Sequence, residues 1–253
     1  MNKYKTSQIA SIMKIHPNTV RLYEEIGLVE PAQRLNNGYR MFNDNHILQY
    51  KLARYALSMD KRHKTIRKKA ILISKNIGTD KKYQALILSE ELINDINIEK
   101  DNIDKIKEKY SLVITGKEQE EKRIYLTRKK AAQYINTSAD SIRNWENKGL
   151  LQISRRLNGY RIYIEDDIEK MRIIKVLKGL GYSLDDIKIN IDKLDIELQN
   201  DEIYLYGQSR QYKNIMKDCD RYFTDLQKAH DISMSMNEIV KDIINGLSDK
   251  QNT

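Results

Sequence analysis

The sequence predicts a mainly α fold built from two copies of one small domain. Each copy is a pair of short helices with a β-hairpin wing, and each is followed by a long helix. Three observations predict this. A basic, glycine-bearing loop, RLNNGYRMF at residues 34–42, returns as RRLNGYRIY at residues 155–163. Ten glycines and two prolines among 253 residues leave few breaks, and the wealth of Ile, Leu, Lys and acidic residues favours helix. Two stretches, 84–112 and 212–230, place apolar residues at the four-and-three spacing of a helix-pairing seam.

In chain order, Thr6 and Thr127 are expected to cap a short first helix, whose small Ala10 or Ala132 lets a second helix approach closely. The second helix starts at Ser138 in the later copy, a good N-cap. In the earlier copy it starts at His16, a poor cap, with Pro17 well suited to the first helical position. Val20 and Ile142 are expected to face inward, and Asn18, Thr19, Arg21, Ser141 and Arg143 outward. Gly27 and Gly149 are placed to end that helix in a left-handed conformation. An extended arm, a glycine turn and a second arm ending in Arg-x-aromatic complete a helix, turn, helix and wing.

The match between copies extends far beyond the loops. Residues 10–38 read ASIMKIHPNTVRLYEEIGLVEPAQRLNNG, and residues 132–159 read AQYINTSADSIRNWENKGLLQISRRLNG. Arg21, Tyr23, Glu24, Gly27 and Leu28 fall on Arg143, Trp145, Glu146, Gly149 and Leu150, and one inserted residue, Asn37, shifts the register before Gly-Tyr-Arg. Correspondence at fixed spacing over about 30 residues is the mark of an internal duplication.

Each copy resembles the winged helix-turn-helix of the MerR-type transcriptional regulators. The pattern of that family is T(V/L)RYYE-x-x-GL, an Arg, and then GYR-x-Y. Here it stands as TVRLYEEIGL with GYRMF, and as SIRNWENKGL with GYRIY. The second copy continues into IEKMRIIKVLKGLGYSLDDIK, close to the family's next two helices. The first departs, keeping helical spacing in HILQYKLARYALSMDKRHKTIRKKA without the GYSLxxI turn.

The resemblance implies a partner and a set of contacts. The second helix of each copy would enter the major groove of double-stranded DNA while the wing grips the adjacent backbone. The residues carried over are Asn18, Thr19, Arg21, Tyr23, Arg34, Tyr39 and Arg40 in the first copy, and Ser141, Arg143, Trp145, Arg156, Tyr160 and Arg161 in the second. Arginine can contact a phosphate or a guanine edge, and the wing phenols and guanidiniums suit phosphates. For Tyr23 and Trp145, DNA contact and core packing are equally open. RNA polymerase at the promoter is a second partner the resemblance suggests.

Charge agrees with a polyanion partner. Residues 1–189 hold 37 basic against 24 acidic residues, a balance of +13, whereas residues 190–253 hold 8 against 12, a balance of −4. Nine Lys/Arg and one Asp in residues 51–75 suggest added backbone grip after the first wing.

The family dimerises through an antiparallel long helix. Leu88, Leu92, Ile96, Ile103, Ile106 and Tyr110 form one such seam; Tyr212, Ile215, Met216, Cys219, Tyr222, Phe223, Leu226 and Ala229 form the other. The expected domains are 1–82 and 123–192 for the winged units, 83–122 for the first long helix and its linker, and 193–253 for the second with a terminal amphipathic helix, MNEIVKDIINGL. A monomeric pseudo-dimer, its two helices paired within one chain, is preferred to a homodimer with four winged units. Because HPNTVRLYEE and SADSIRNWEN differ, the two DNA half-sites should differ.

A single cysteine and four scattered histidines give no metal-ligand spacing, and no phosphate-binding loop, nucleophile elbow or paired-carboxylate signature is present. No enzyme activity, metal or cofactor is expected. No apolar run approaches the ~18 residues of a membrane span, and a cytoplasmic protein is expected. The leading expectation is a sequence-specific transcriptional regulator; the alternatives are an architectural DNA-bending protein, excisionase-like or chromosome-organising, and an interaction adaptor with a degenerate DNA surface.

Overall fold

A computed structural model describes residues 2–114, 124–154, 159–199 and 210–251. It is mainly helical, with ten helices and one two-stranded sheet among the described residues. The chain forms two compact units: Met1–Ile96 together with Lys228–Thr253, and Asn97–Gln227.

In the first unit, α1 (Thr6–Met13) and α2 (Pro17–Glu25) make the helix-turn-helix. The cap of α1 is Lys5 rather than Thr6. Gln8 Oε1 reaches back to accept from the Lys5 N–H at 2.8 Å, so the helix starts one residue earlier than the threonine suggests. His16 caps α2 after all, its Nδ1 accepting from the Asn18 N–H at 3.2 Å, and Pro17 takes the first helical position.

Gly27, at φ +73°, closes α2: its N–H donates to Glu24 O and the next N–H, Leu28, donates to Tyr23 O. β1 (Gln33–Arg34) and β2 (Arg40–Met41) pair antiparallel, Gln33 opposite Met41 and Arg34 opposite Arg40, around Gly38 at φ +80°. Phe42 then pairs with Tyr4, tying the wing back to the start of the domain. Ile9, Met13, Val20, Leu28, Val29, Phe42, Tyr50 and Ala53 make one buried cluster beneath these elements.

Two further helices, α3 (Asp44–Ser58) and α4 (Lys64–Gly78), follow. The stretch that departs from the family pattern therefore still turns between two helices. Asp60 Oδ1 accepts from the Arg62 N–H at 2.8 Å, and Arg67 donates to the carbonyls of Leu57 and Met59, satisfying the free end of α3. Gly78 packs backbone to backbone on Gly27 and Leu28, where Ser74 also donates to the Leu28 carbonyl.

The second unit repeats the plan with α6 (Arg128–Tyr134), α7 (Ala139–Asn147), α8 (Glu165–Gly179) and α9 (Leu184–Gln199). Thr127 and Ser138 cap α6 and α7 as their residue types dictate. Gly149 repeats the Gly27 closure at φ +69°, and Tyr163 pairs with Leu126 as Phe42 does with Tyr4. A basic residue holds the end of the first helix in both copies: Arg54 donates to Met13 O, and Lys175 to Ile135 O and, at 3.0 Å, to Asn136 O.

The long helices are α5 (Lys82–Ile114) and α10 (Arg210–Gln251). Within the second unit they run antiparallel, Lys100 donating to Gln227 at 2.6 Å and Lys107 pairing with Asp220 at 2.5 Å. Within the first unit Asn237 donates to Ser89 Oγ at 2.8 Å. The α5 seam runs through Ala85, Ser89, Leu92, Ile96, Ile103 and Ile106, all buried; Leu88, expected in it, is only half-buried beside Ser89.

On α10 the buried line is Ile215, Cys219, Tyr222, Leu226, Ala229, Ser233, Met236, Val240 and Ile243. The terminal amphipathic stretch is therefore not a separate helix. The heptad continues through it without a break, so the same face stays buried. The side chains of Tyr110 and Tyr212 lie outside the described residues.

Candidate nucleic-acid interface

The second helix of each helix-turn-helix, α2 and α7, is positioned from below. Val20 and Ile142 are fully buried, and the Tyr50 hydroxyl donates to the Val20 carbonyl at 2.9 Å. Burial of Tyr50 pushes its phenol above the ordinary tyrosine range, so it stays a neutral donor. With one face so anchored, helical geometry turns Asn18, Thr19 and Arg21 away from the core. Asn18 and Arg21 are exposed, Thr19 is half-buried, and Arg21 donates to Asn18 Oδ1 at 3.2 Å. On α7, Arg143 is exposed, while Ser141 is half-buried with its hydroxyl against the Ser138 cap at 2.9 Å.

The two aromatic positions divide. Trp145 is 1% exposed and belongs to the core, the larger indole filling the space under α7; it presents no face to a ligand, which corrects its place among the contact residues. Tyr23 is half-buried and stacks on Tyr50 with ring centroids 6.1 Å apart; burial raises its pKa against the opposing field of Arg54.

The wing tips carry Tyr39, 68% exposed, and Tyr160, 74% exposed. Arg34 is exposed on the first arm; Arg156, its expected counterpart, lies outside the described residues. Arg40 is half-buried and Arg161 stays exposed, but each is held by a glutamate. Arg40 Nε meets Glu24 Oε2 at 2.5 Å, and the same carboxylate group accepts from the Ala32 N–H at 3.1 Å. Arg161 Nε meets Glu146 Oε2 at 3.0 Å, Arg128 joins the same oxygen at 2.8 Å, and Tyr163 donates to the other. The Tyr163 phenol is pushed up to about 12, first by burial and then by its bond to Glu146.

α2 and α7 are thus each tied to the following wing by one glutamate. Glu24 and Glu146 were visible in the sequence as matched letters of the repeat, but nothing in their type or spacing announces a bracing role. A groove beside the second wing, lined by Tyr125, Thr127, Arg128, Tyr160 and Arg161 among others, opens along this brace.

The basic run of residues 51–75 is split by the fold. Arg54 and Arg67 hold carbonyls, Arg62 pairs with Asp60, and Lys69 pairs with Asp95 at 2.6 Å. Lys51, Lys61, Lys64, Lys68 and Lys75 are exposed. No helix among the described residues is long and apolar enough to cross a membrane.

Two comparisons of sequence and one of structure bear on this arrangement. Residues 5–42 match the model of the MerR family regulatory protein, and residues 126–194 that of the MerR HTH family regulatory protein. The HTH-type transcriptional regulator CueR of Escherichia coli is 40% identical over 50 residues, covering 20% of this chain and 37% of its own. The HTH-type transcriptional regulator YyaN of Bacillus subtilis is 44% identical over 59 residues, covering 23% and 43%. The chain spans less than half the length of these curated relatives.

Among solved structures, that of HiNmlR, a MerR family regulator lacking the sensor domain, bound to promoter DNA, is 27% identical. It covers 42% of this chain and 81% of that one with a TM-score of 0.32. The two family matches each include one helix-turn-helix, so a MerR-type domain stands in each half of the chain.

Proposed function

We propose that this chain is a sequence-specific, double-stranded DNA-binding transcriptional regulator that addresses an asymmetric operator with two unlike winged domains, and that it does so as a fused pseudo-dimer. The observation that carries the reading is the duplicated brace, Glu24–Arg40 and Glu146–Arg161, which fixes each wing relative to a helix bearing an exposed arginine. A rigid pairing of wing and helix presents the Tyr39 and Tyr160 phenols and the Arg21 and Arg143 guanidiniums as one preformed surface, lowering the ordering cost of binding a duplex. The relatives' names, as transcriptional regulators, agree with it.

The pseudo-dimer is supported by the composition of the compact units, since each takes a segment of both long helices. We assign residues 1–82 and 123–192 to the winged domains, and 83–122 and 193–253 to the long helices. Asn18 and Thr19 correspond to Asp140 and Ser141 at matching positions of the two recognition helices, so the half-sites differ.

A nuclease footprint on the DNA upstream of the chain's own gene tests this. Protection of about two helical turns with unlike halves is expected. Protection twice as long indicates four winged units and overturns the pseudo-dimer. Salt-sensitive smearing without a boundary overturns sequence-specific regulation in favour of an architectural role.

A further inference from the structure

We propose that the Ser89–Asn237 hydrogen bond sets the partner and register of α10, selecting α5 of the same chain over a second copy of α10. The inference rests on the pseudo-dimer reading and deepens it. Both residues are buried, Ser89 at 1% and Asn237 at 6% exposure, and the amide donates to the hydroxyl at 2.8 Å while that hydroxyl donates to Leu86 O at 2.7 Å.

Apart from Ser233, whose hydroxyl is satisfied within α10 by Ala229 O at 2.8 Å, their neighbours in this unit are apolar and interchangeable: Ala85, Leu92 and Ile96 on α5, and Met236, Val240 and Ile243 on α10. Such a seam tolerates a slip by one heptad with little loss. The hydrogen bond does not, because a slip sets the Asn237 amide opposite Ile96 in one direction or the Lys82 ammonium in the other, and neither offers an acceptor. One buried polar residue in an apolar seam fixes register and partner in this way, at some expense in stability.

Pairing α10 with itself loses the same bond. In two antiparallel copies crossing at Lys228, where the compact units divide the helix, Asn237 comes opposite Cys219. A thiol is a weak acceptor and does not replace the serine hydroxyl.

The test uses the full chain, with sedimentation equilibrium for mass and carbodiimide cross-linking of Lys107 to Asp220 as the register readout, since that pair stands at 2.5 Å. The wild type is expected to be a monomer with an intrachain Lys107–Asp220 link. The Ser89→Ala, Asn237→Leu double variant is expected to keep or raise its Tm, to sediment partly as a dimer, and to lose at least half of that link to other Lys–acid pairs. Ser89→Ala alone, which strands the amide, is expected to lower Tm and spread the link. A monomeric double variant with the wild-type cross-link overturns the inference. A wild type that is itself a dimer, linked between chains, overturns the pseudo-dimer instead, and the distinction is read before any variant is made.

Discussion

Arg40 Nε lies 2.5 Å from Glu24 Oε2, with the carboxylate side chain 9% exposed and the guanidinium side chain 19% exposed. This pair joins the wing to the recognition helix from the inside, and its counterpart in the second copy is Glu146 with Arg161 and Arg128. Glu24→Ala should therefore cost about 2–3 kcal/mol of stability in the first domain, by stranding a largely buried guanidinium and the Ala32 N–H. DNA affinity should fall with it although the glutamate faces the protein. Glu24→Gln, which keeps an acceptor, should recover part of both losses in a denaturation and gel-shift series.

Arg143→Ala and Trp145→Ala should separate binding from folding within one helix. The exposed arginine, once truncated, should weaken operator binding by about 1–3 kcal/mol with an unchanged Tm. The buried indole should cost about 3–5 kcal/mol of stability, because it empties core volume. An equal loss of Tm in both variants would contradict this division.

Two glycines make opposite predictions about rescue. A Cβ at Gly78 would lie 2.4 Å from the Gly27 carbonyl oxygen, and one at Gly179 would lie 2.4 Å from the Tyr222 ring. Each alanine should destabilise by about 1–3 kcal/mol. Tyr222→Leu should relieve Gly179→Ala, since the obstacle is a side chain. No single side-chain change should relieve Gly78→Ala, since its obstacle is backbone. Melting curves of the paired variants decide it.

His46 ties stability to pH. Burial holds its pKa below the usual 6.5 against the opposing fields of Glu30 and Glu24. The unfolded chain therefore binds the proton more readily than the folded one. Stability is full above the unfolded pKa and declines as pH falls below about 6.5. A Tm series from pH 7.5 downward should show that decline in the wild type and a flatter curve in His46→Gln.

Cys219 should be inert. Burial pushes its thiol up to about 12, leaving little thiolate at neutral pH. Iodoacetamide at about pH 8 should label it only after unfolding; rapid labelling of the native chain would show that the α10 seam opens.

Much of the fold was legible. Gly27 and Gly149 announced left-handed helix ends because few other residues adopt that conformation, and Val20 and Ile142 announced the buried face by their position in each repeat. The α1 cap at Lys5 is not legible, because a glutamine reaching back to it leaves no distinctive mark in sequence. The roles of Trp145 and Tyr23 are not legible for a physical reason: an aromatic near a surface helix serves core and ligand equally well, and only its neighbours decide.

By itself the sequence determined the duplication, the order of helices and wings, and the MerR-type character of each repeated domain. Periodicity, helix stops and loop motifs are local properties, written within a few residues of where they act. Only the tertiary structure decided which charges face outward and which are structural. It turned Arg40 and Arg161 onto glutamates, set Arg54 and Lys175 on helix ends, and joined Ser89 to Asn237. Those pairings link residues distant in the chain, and the outcome for each polar group depends on whether burial brings it a partner.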